Sequence, residues 1–213
     1  SREENHPLPT EAIRLASQRR KWDIKALDFK HDEDRFNDYD RETLIPHKLS
    51  TEGPALAVAD INNDGLRDFF VGGAHNQRSK VFLQGDGGNF SSKRFSDLAE
   101  DADFEDVDAV FFDADNDGDL DLYVVSGGGY YPERSALLQD RMYENVNGNF
   151  RKKRLLLPRT NGSCVVDGDF DGDGDTDLFI GSLSIPGSYG VSPRSYFLIN
   201  NGDFDFTLAP YEA

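Results

Sequence analysis

Along most of this chain, short apolar runs alternate with aspartate- and glycine-rich loops, and one order recurs three times. An apolar run enters the loop: Ala55-Leu56-Ala57-Val58-Ala59, Ala109-Val110-Phe111-Phe112 and Cys164-Val165-Val166. A second leaves it: Phe69-Phe70-Val71, Leu122-Tyr123-Val124-Val125 and Leu178-Phe179-Ile180, closed by Gly72-Gly73, Gly127-Gly128 and Gly181. Runs this short, bounded by turn residues, are predicted to be buried strands. A third run follows, Val81-Phe82-Leu83, Met142-Tyr143 or Tyr196-Phe197-Leu198-Ile199. It reaches Gly87-Gly88-Asn89-Phe90, Asn147-Gly148-Asn149-Phe150 or Asn201-Gly202-Asp203-Phe204. Asn-Gly between apolar runs is a tight-hairpin signal. With the run after the turn, each unit has four antiparallel strands, so the expected fold is all-β and a parallel α/β architecture is excluded.

The loops themselves superimpose. Asp60 to Asp68 reads DINNDGLRD, Asp113 to Asp121 reads DADNDGDLD and Asp169 to Asp177 reads DFDGDGDTD; their starts at 60, 113 and 169 lie 53 and 56 residues apart. That spacing is too long for a leucine-rich or ankyrin repeat and is close to a β-propeller blade of four strands. The expected organisation is a lead-in over residues 1–22, a connector or strands of a preceding blade over 23–52, and repeats over 53–105, 106–160 and 161–213. The lead-in has a short helical pattern through Glu11 to Gln18. The stretch from Asp23 to Ser50 reads either as a strand pair or as a surface connector. Three blades are too few to close a ring, which typically has about four to eight. A partial propeller, an open array or part of a larger assembly is therefore expected.

The loop pattern is D-x-[DN]-x-D-G-x-x-D. Calcium takes about six to eight oxygen ligands at roughly 2.3–2.6 Å, so a loop that holds it must gather several short carboxylates around one point. Alternate positions do this, and a glycine at position 6 permits the sharp turn. The candidate ligands are Asp60, Asn62, Asp64, the Leu66 carbonyl and Asp68 in the first loop. In the second they are Asp113, Asp115, Asp117, the Asp119 carbonyl and Asp121, and in the third Asp169, Asp171, Asp173, the Asp175 carbonyl and Asp177. Two carboxylates about 4 Å apart repel by around 4 kcal/mol at an effective dielectric of about 20. Three solvated acidic turns without a counterion would therefore strain a fold of ordinary stability. Magnesium demands stricter octahedral geometry and keeps more water, and an EF-hand needs a Glu at position 12, where this chain has Val71, Val124 or Ile180. Up to three Ca2+ ions are expected, each loop lying between strands.

Composition narrows the partners. The formal charge of -17 excludes sequence-independent binding to nucleic acid or anionic lipid, which needs a basic surface. No apolar run approaches a membrane span, and the charged start Ser1-Arg2-Glu3-Glu4 is not a signal peptide. Cys164 is the single cysteine and is expected in the core. His6, His31, His47 and His75 lie outside the loops at spacings that suit packing or surface roles rather than zinc or copper. The acidic run Glu105, Asp106, Asp108 reads as a solvated face, and Tyr130 and Tyr131 as ordinary packing rather than a sugar platform.

The strings VADINNDGLRDFFVGG, FFDADNDGDLDLYVVSGG and VVDGDFDGDGDTDLFIGS, with their aromatic hairpins, resemble the FG-GAP or VCBS repeat of integrin α-subunit propellers and bacterial surface proteins. LIPHKLSTEGPALAVADIN is similar to propellers that often accompany an ASPIC/UnbV module, although no such module is recognisable in these residues. The resemblance implies a secreted, periplasmic or surface-exposed scaffold with structural calcium, recognising a protein or a carbohydrate, with no catalytic residues. The alternative is a calcium-dependent lyase or hydrolase acting on polysaccharides. No nucleophile elbow, H-E-x-x-H helix or phosphate-cradling loop supports it.

Overall fold

A computed structural model describes residues 27–33 and 35–209. It contains three four-stranded antiparallel sheets, each wound in chain order. The first has β1 (Leu56–Ala59), β2 (Asp68–Val71), β3 (Lys80–Gly85) and β4 (Asn89–Lys93). The second has β5 (Asp106–Phe112), β6 (Asp121–Ser126), β7 (Arg141–Asn145) and β8 (Phe150–Lys153). The third has β9 (Asn161–Gly168), β10 (Asp177–Ser184), β11 (Tyr196–Asn200) and β12 (Phe206–Ala209). The all-β expectation holds. Helix is confined to α1 (Asp38–Arg41), α2 (Ser96–Glu100) and two 3-10 turns among the described residues.

Register explains which residues face which sheet. Because side chains alternate along a strand, Phe70 of β2 points into one apolar cluster with Leu122 and Val124 of β6, between the first and second sheets. Tyr123 and Val125 of β6 point the other way, into a second cluster with Leu178 and Ile180 of β10. The middle sheet is therefore apolar on both faces, and all six residues of β6 are buried. The outer strand β4, NFSSK, is mostly exposed.

The first strands of the sheets pack side by side, which requires glycine where β2 and β6 end. A Cβ on Gly72 would lie 2.5 Å from the Asp106 Cβ, and one on Gly127 would lie 2.5 Å from Val107. These glycines read as turn residues in the sequence; here they make room for the neighbouring strand.

Of the two readings of the 23–52 segment, the connector is the one found: among its described residues there is no strand, and it contains α1 and is tied to the sheet ends remote from the acidic loops. Arg41 donates to the carbonyls of Gly129 (2.9 Å) and Tyr131 (2.8 Å), and Gln77 Nε2 donates to the Lys30 carbonyl. Cys164 is exposed rather than in the core, because β9 turns Val165 inward and its neighbours out. The lead-in, the helical pattern at Glu11 to Gln18 and His6 lie outside the described residues.

Candidate metal centres

Each acidic loop joins the first two strands of its sheet, and its ninth residue is the first of the second strand. Short side chains shape the tip. In the first loop Asp60 accepts from the backbone N–H of Asp64 (3.1 Å) and Gly65 (2.7 Å), and Asp64 accepts from Leu66 (2.8 Å). The second loop repeats this, with Gly118 N–H to Asp113 (3.1 Å) and Asp119 N–H to Asp117 (2.8 Å). In the third, Gly172 N–H donates to Asp169 (2.7 Å) and Asp175 N–H to Asp173 (2.9 Å). The position-6 glycines have φ of 83°, 90° and 102°, a left-handed conformation that disfavours any side chain.

Convergence differs among the loops. Asp113, Asp115 and Asp117 each bring one carboxylate oxygen within 4.8 Å of the others, and so do Asp169, Asp171 and Asp177. In the first loop Asn62 replaces a carboxylate and spends its amide on Asp64 Oδ2 (3.1 Å). Burial raises the Asp115 pKa, and the Asp117 and Asp113 charges raise it further. The Oδ1 of Asp113 is buried and has no hydrogen-bond partner. This donor set fits a hard cation: oxygen atoms alone, close together, mutually repulsive and incompletely satisfied by the protein.

The position-9 aspartates have a second job that the sequence did not reveal. Asp68, Asp121 and Asp177 are almost wholly buried. Asp121 accepts from Ala114 N–H (3.0 Å) at position 2 of its own loop and from Asn145 N–H (2.7 Å) on the third strand. Asp68 does the same with Ile61 (3.2 Å) and Gln84 (2.7 Å), and Asp177 with Phe170 and Asn200 (both 2.8 Å). Each carboxylate pins its loop to its sheet. Burial pushes Asp121 up to about 7 despite those two bonds, and burial likewise raises Asp68.

Asparagines connect one unit to the next. Asn63 donates to Asp119 (3.0 Å) and Asn116 to Asp175 (2.8 Å), from position 4 of one loop to position 7 of the following one. Asn145 reaches back to the Ile61 carbonyl (2.9 Å), and Asn200 to that of Ala114 (3.1 Å). The only sequence trace of the position-4 role is Asn, Asn, Gly at 63, 116 and 172, the residues that tolerate the positive φ found there.

The run Glu105, Asp106, Asp108 is corrected. Glu105 and Asp106 are buried rather than solvated. Asp106 pairs with the buried Arg141 (2.5 Å) and accepts from Gly73 N–H (2.9 Å), while Asp108 accepts from Val165 N–H (2.9 Å). The run joins all three sheets. Beside it, Asp140 accepts from Tyr123 and Tyr196 hydroxyls (both 2.8 Å) and Ser126 N–H (2.8 Å). Tyr131 packs in the interior, its ring edge against His75, and Tyr130 stacks on His75 at 4.6 Å. His31 hydrogen-bonds to Glu33, and His47 is exposed.

Fold and site thus define a repeated all-β protein in which every unit carries one acidic loop between its first two strands. The chain belongs to the FG-GAP-like repeat family, whose model matches residues 60–124 and again 113–180. Each match runs from the first residue of one loop into the strand after the next. No curated protein matches the chain.

Proposed function

We propose that the three sheets are blades of a propeller-type scaffold, with units at 53–105, 106–160 and 161–213, and that its acidic loops hold calcium. The observation that carries this reading is one loop built three times, with carboxylate oxygens gathered together in the second and third. Bound there, the ion supplies positive charge and fixes the loop without taking part in any reaction. Asp113, Asp115 and Asp117 would hold it in the second unit, Asp169, Asp171 and Asp177 in the third, and Asp60, Asn62 and Asp64 more weakly in the first. The carbonyls at Leu66, Asp119 and Asp175 and the second lone pairs of Asp68 and Asp121 complete the donor sets.

The scaffold serves recognition of a protein or carbohydrate outside the cytoplasm rather than catalysis. In support, two of the carboxylates outside the loops that stood closest together, Asp106 and Asp108, are used in joining sheets. Among the described residues no helix is long and apolar enough to cross a membrane.

Calorimetric titration of metal-free protein tests the calcium reading, with up to three ions taken up and the first loop weakest. Asp117→Asn keeps the oxygen that accepts from Asp119 but removes the charge. It is expected to lose one ion and to lower stability only in calcium, by about 2.7 kcal/mol at a hundredfold excess over Kd. Equal destabilisation in chelator would refute it.

A further inference from the structure

We propose that the outer rim of the first sheet binds a compact organic ligand bearing an oxyanion (a carboxylate, sulfate or phosphate group on a small body). A cavity of about 240 Å³ opens there between the start of β3, the end of β4 and α2. Arg78, Lys80, Lys93 and Arg94 line it over the buried Phe95 and Leu98, and no acidic residue does. The chain has 40 acidic and 23 basic residues, so this lining inverts its composition. A neighbouring hollow of about 620 Å³ shares Arg78 and Lys80 and adds Lys30 and one acid, Asp28.

The cations are available. Arg78 and Arg94 are exposed and form no ion pair among the described residues. Lys80 donates to the Asp28 backbone carbonyl and contacts the Asp28 carboxylate at 3.4 Å; that carboxylate is fully solvent-exposed, so the ion pair is a weak surface one that an incoming anion can displace. Lys93 lies over the Phe95 ring at 5.0 Å, fixed in place by it and by the Gly148 carbonyl. Of the acids nearest in sequence, Asp97 accepts from Lys152 N–H and Asp101 pairs with the Lys152 ammonium, while Glu100 is exposed at the end of α2 and does not line the cavity.

Position and size define the ligand. Val71 pairs with Lys80 at the end of β2 remote from Asp68 and the acidic loop. Three residues of strand separate them, about 10 Å at roughly 3.4 Å per residue. That is about one Debye length at 0.1 M salt, so salt weakens the loop's negative field at the cavity. A volume of about 240 Å³ lies below the roughly 300–1,000 Å³ of sites for drug-sized molecules, which favours an occupant near one sugar ring in size. A long polyanion is disfavoured by the net charge of -17 over the remaining surface.

The test titrates labelled protein, at fixed calcium and about 0.1 M sodium chloride, with glucuronate, glucosamine 6-sulfate, glucose 6-phosphate, inorganic sulfate, inorganic phosphate and neutral glucose, followed by amide chemical shifts. At least one sugar anion is expected to saturate with shifts around β3, β4 and α2, and glucose is not; which anion does so identifies the group. The double variant Arg78→Glu/Arg94→Glu should weaken binding about tenfold or more, since a charged hydrogen bond is worth about that factor. Arg151→Glu, the same charge change on the second sheet, should leave it intact. No saturation at millimolar concentration by any sugar anion would mean that these cations only guard the outer strand against edge pairing, and the proposal would fail. It would fail equally if Arg151→Glu weakened binding as much, or if the inorganic ions bound as tightly as the sugar anions.

Discussion

Within one nine-residue loop, aspartates at the tip and at the base live under opposite conditions. At the tip, Asp113, Asp115 and Asp117 are partly or fully exposed, close together and short of donors. At the base, Asp121 is buried, and both oxygens accept backbone N–H groups from two different strands. The same residue type therefore does two jobs. Where the protein supplies two backbone donors, a carboxylate becomes a structural staple; where it supplies mainly other carboxylates, it is left able to meet a cation. Asp177 of the third loop combines the two, bonded to Phe170 and Asn200 while one of its oxygens lies with those of Asp169 and Asp171.

The largest expected break in that comparison is Asp121→Ala. It strands the buried N–H groups of Ala114 and Asn145. At about 1–3 kcal/mol for each unsatisfied group, chemical denaturation should show a loss near 4 kcal/mol. A loss of that size should remain in chelator, unlike that of Asp117→Asn, with any further loss in calcium added to it; a loss that vanished in chelator would erase the distinction between base and tip.

Asp140 sharpens it with a buried carboxylate far from any loop. Burial raises it to about 6, against about 3.9 unfolded. The folded state thus holds the proton more tightly, and this contribution to stability is complete below pH about 4 and disappears as pH rises through about 6. Asp140→Asn removes that dependence. The wild-type stability minus that of the variant should fall by about 2 kcal/mol between pH 4 and 7, whatever their constant offset. A difference flat in pH would mean that the hydroxyls of Tyr123 and Tyr196 already offset the burial.

The smallest effect concerns the bridge between tips. Asn116→Gly keeps the positive φ that Gly172 adopts in the third loop and removes only the amide to Asp175. A loss of about 0.5–1.5 kcal/mol is expected in thermal unfolding. No measurable loss would show that neighbouring loops are independent at their tips.

Much of this was legible in the order of residues. Runs of three to five apolar residues between Asp-Gly and Asn-Gly turns could only be short strands, and the alternation of Asp at positions 1, 3 and 5 around a required glycine exposed the loop tips. Less legible was the fate of charged residues beyond the motif. Asp106 and Asp108 looked solvated because acidic runs usually are, yet their partners are distant in sequence: Arg141 is delivered by strand pairing within the same sheet, and Gly73 and Val165 by the neighbouring sheets. Cys164 looked internal because a run of three apolar residues does not say which of them faces the core.

The sequence by itself determined strand, loop and turn, because backbone geometry and the spacing of short carboxylates are local properties that a few neighbouring residues settle. Only the tertiary structure decided which aspartates are staples and which are free to meet a cation, and it alone gathered Arg78, Lys80, Lys93 and Arg94 around one cavity. Burial and the choice of donor depend on what the rest of the chain brings alongside, and residues tens of positions apart carry no mark of one another.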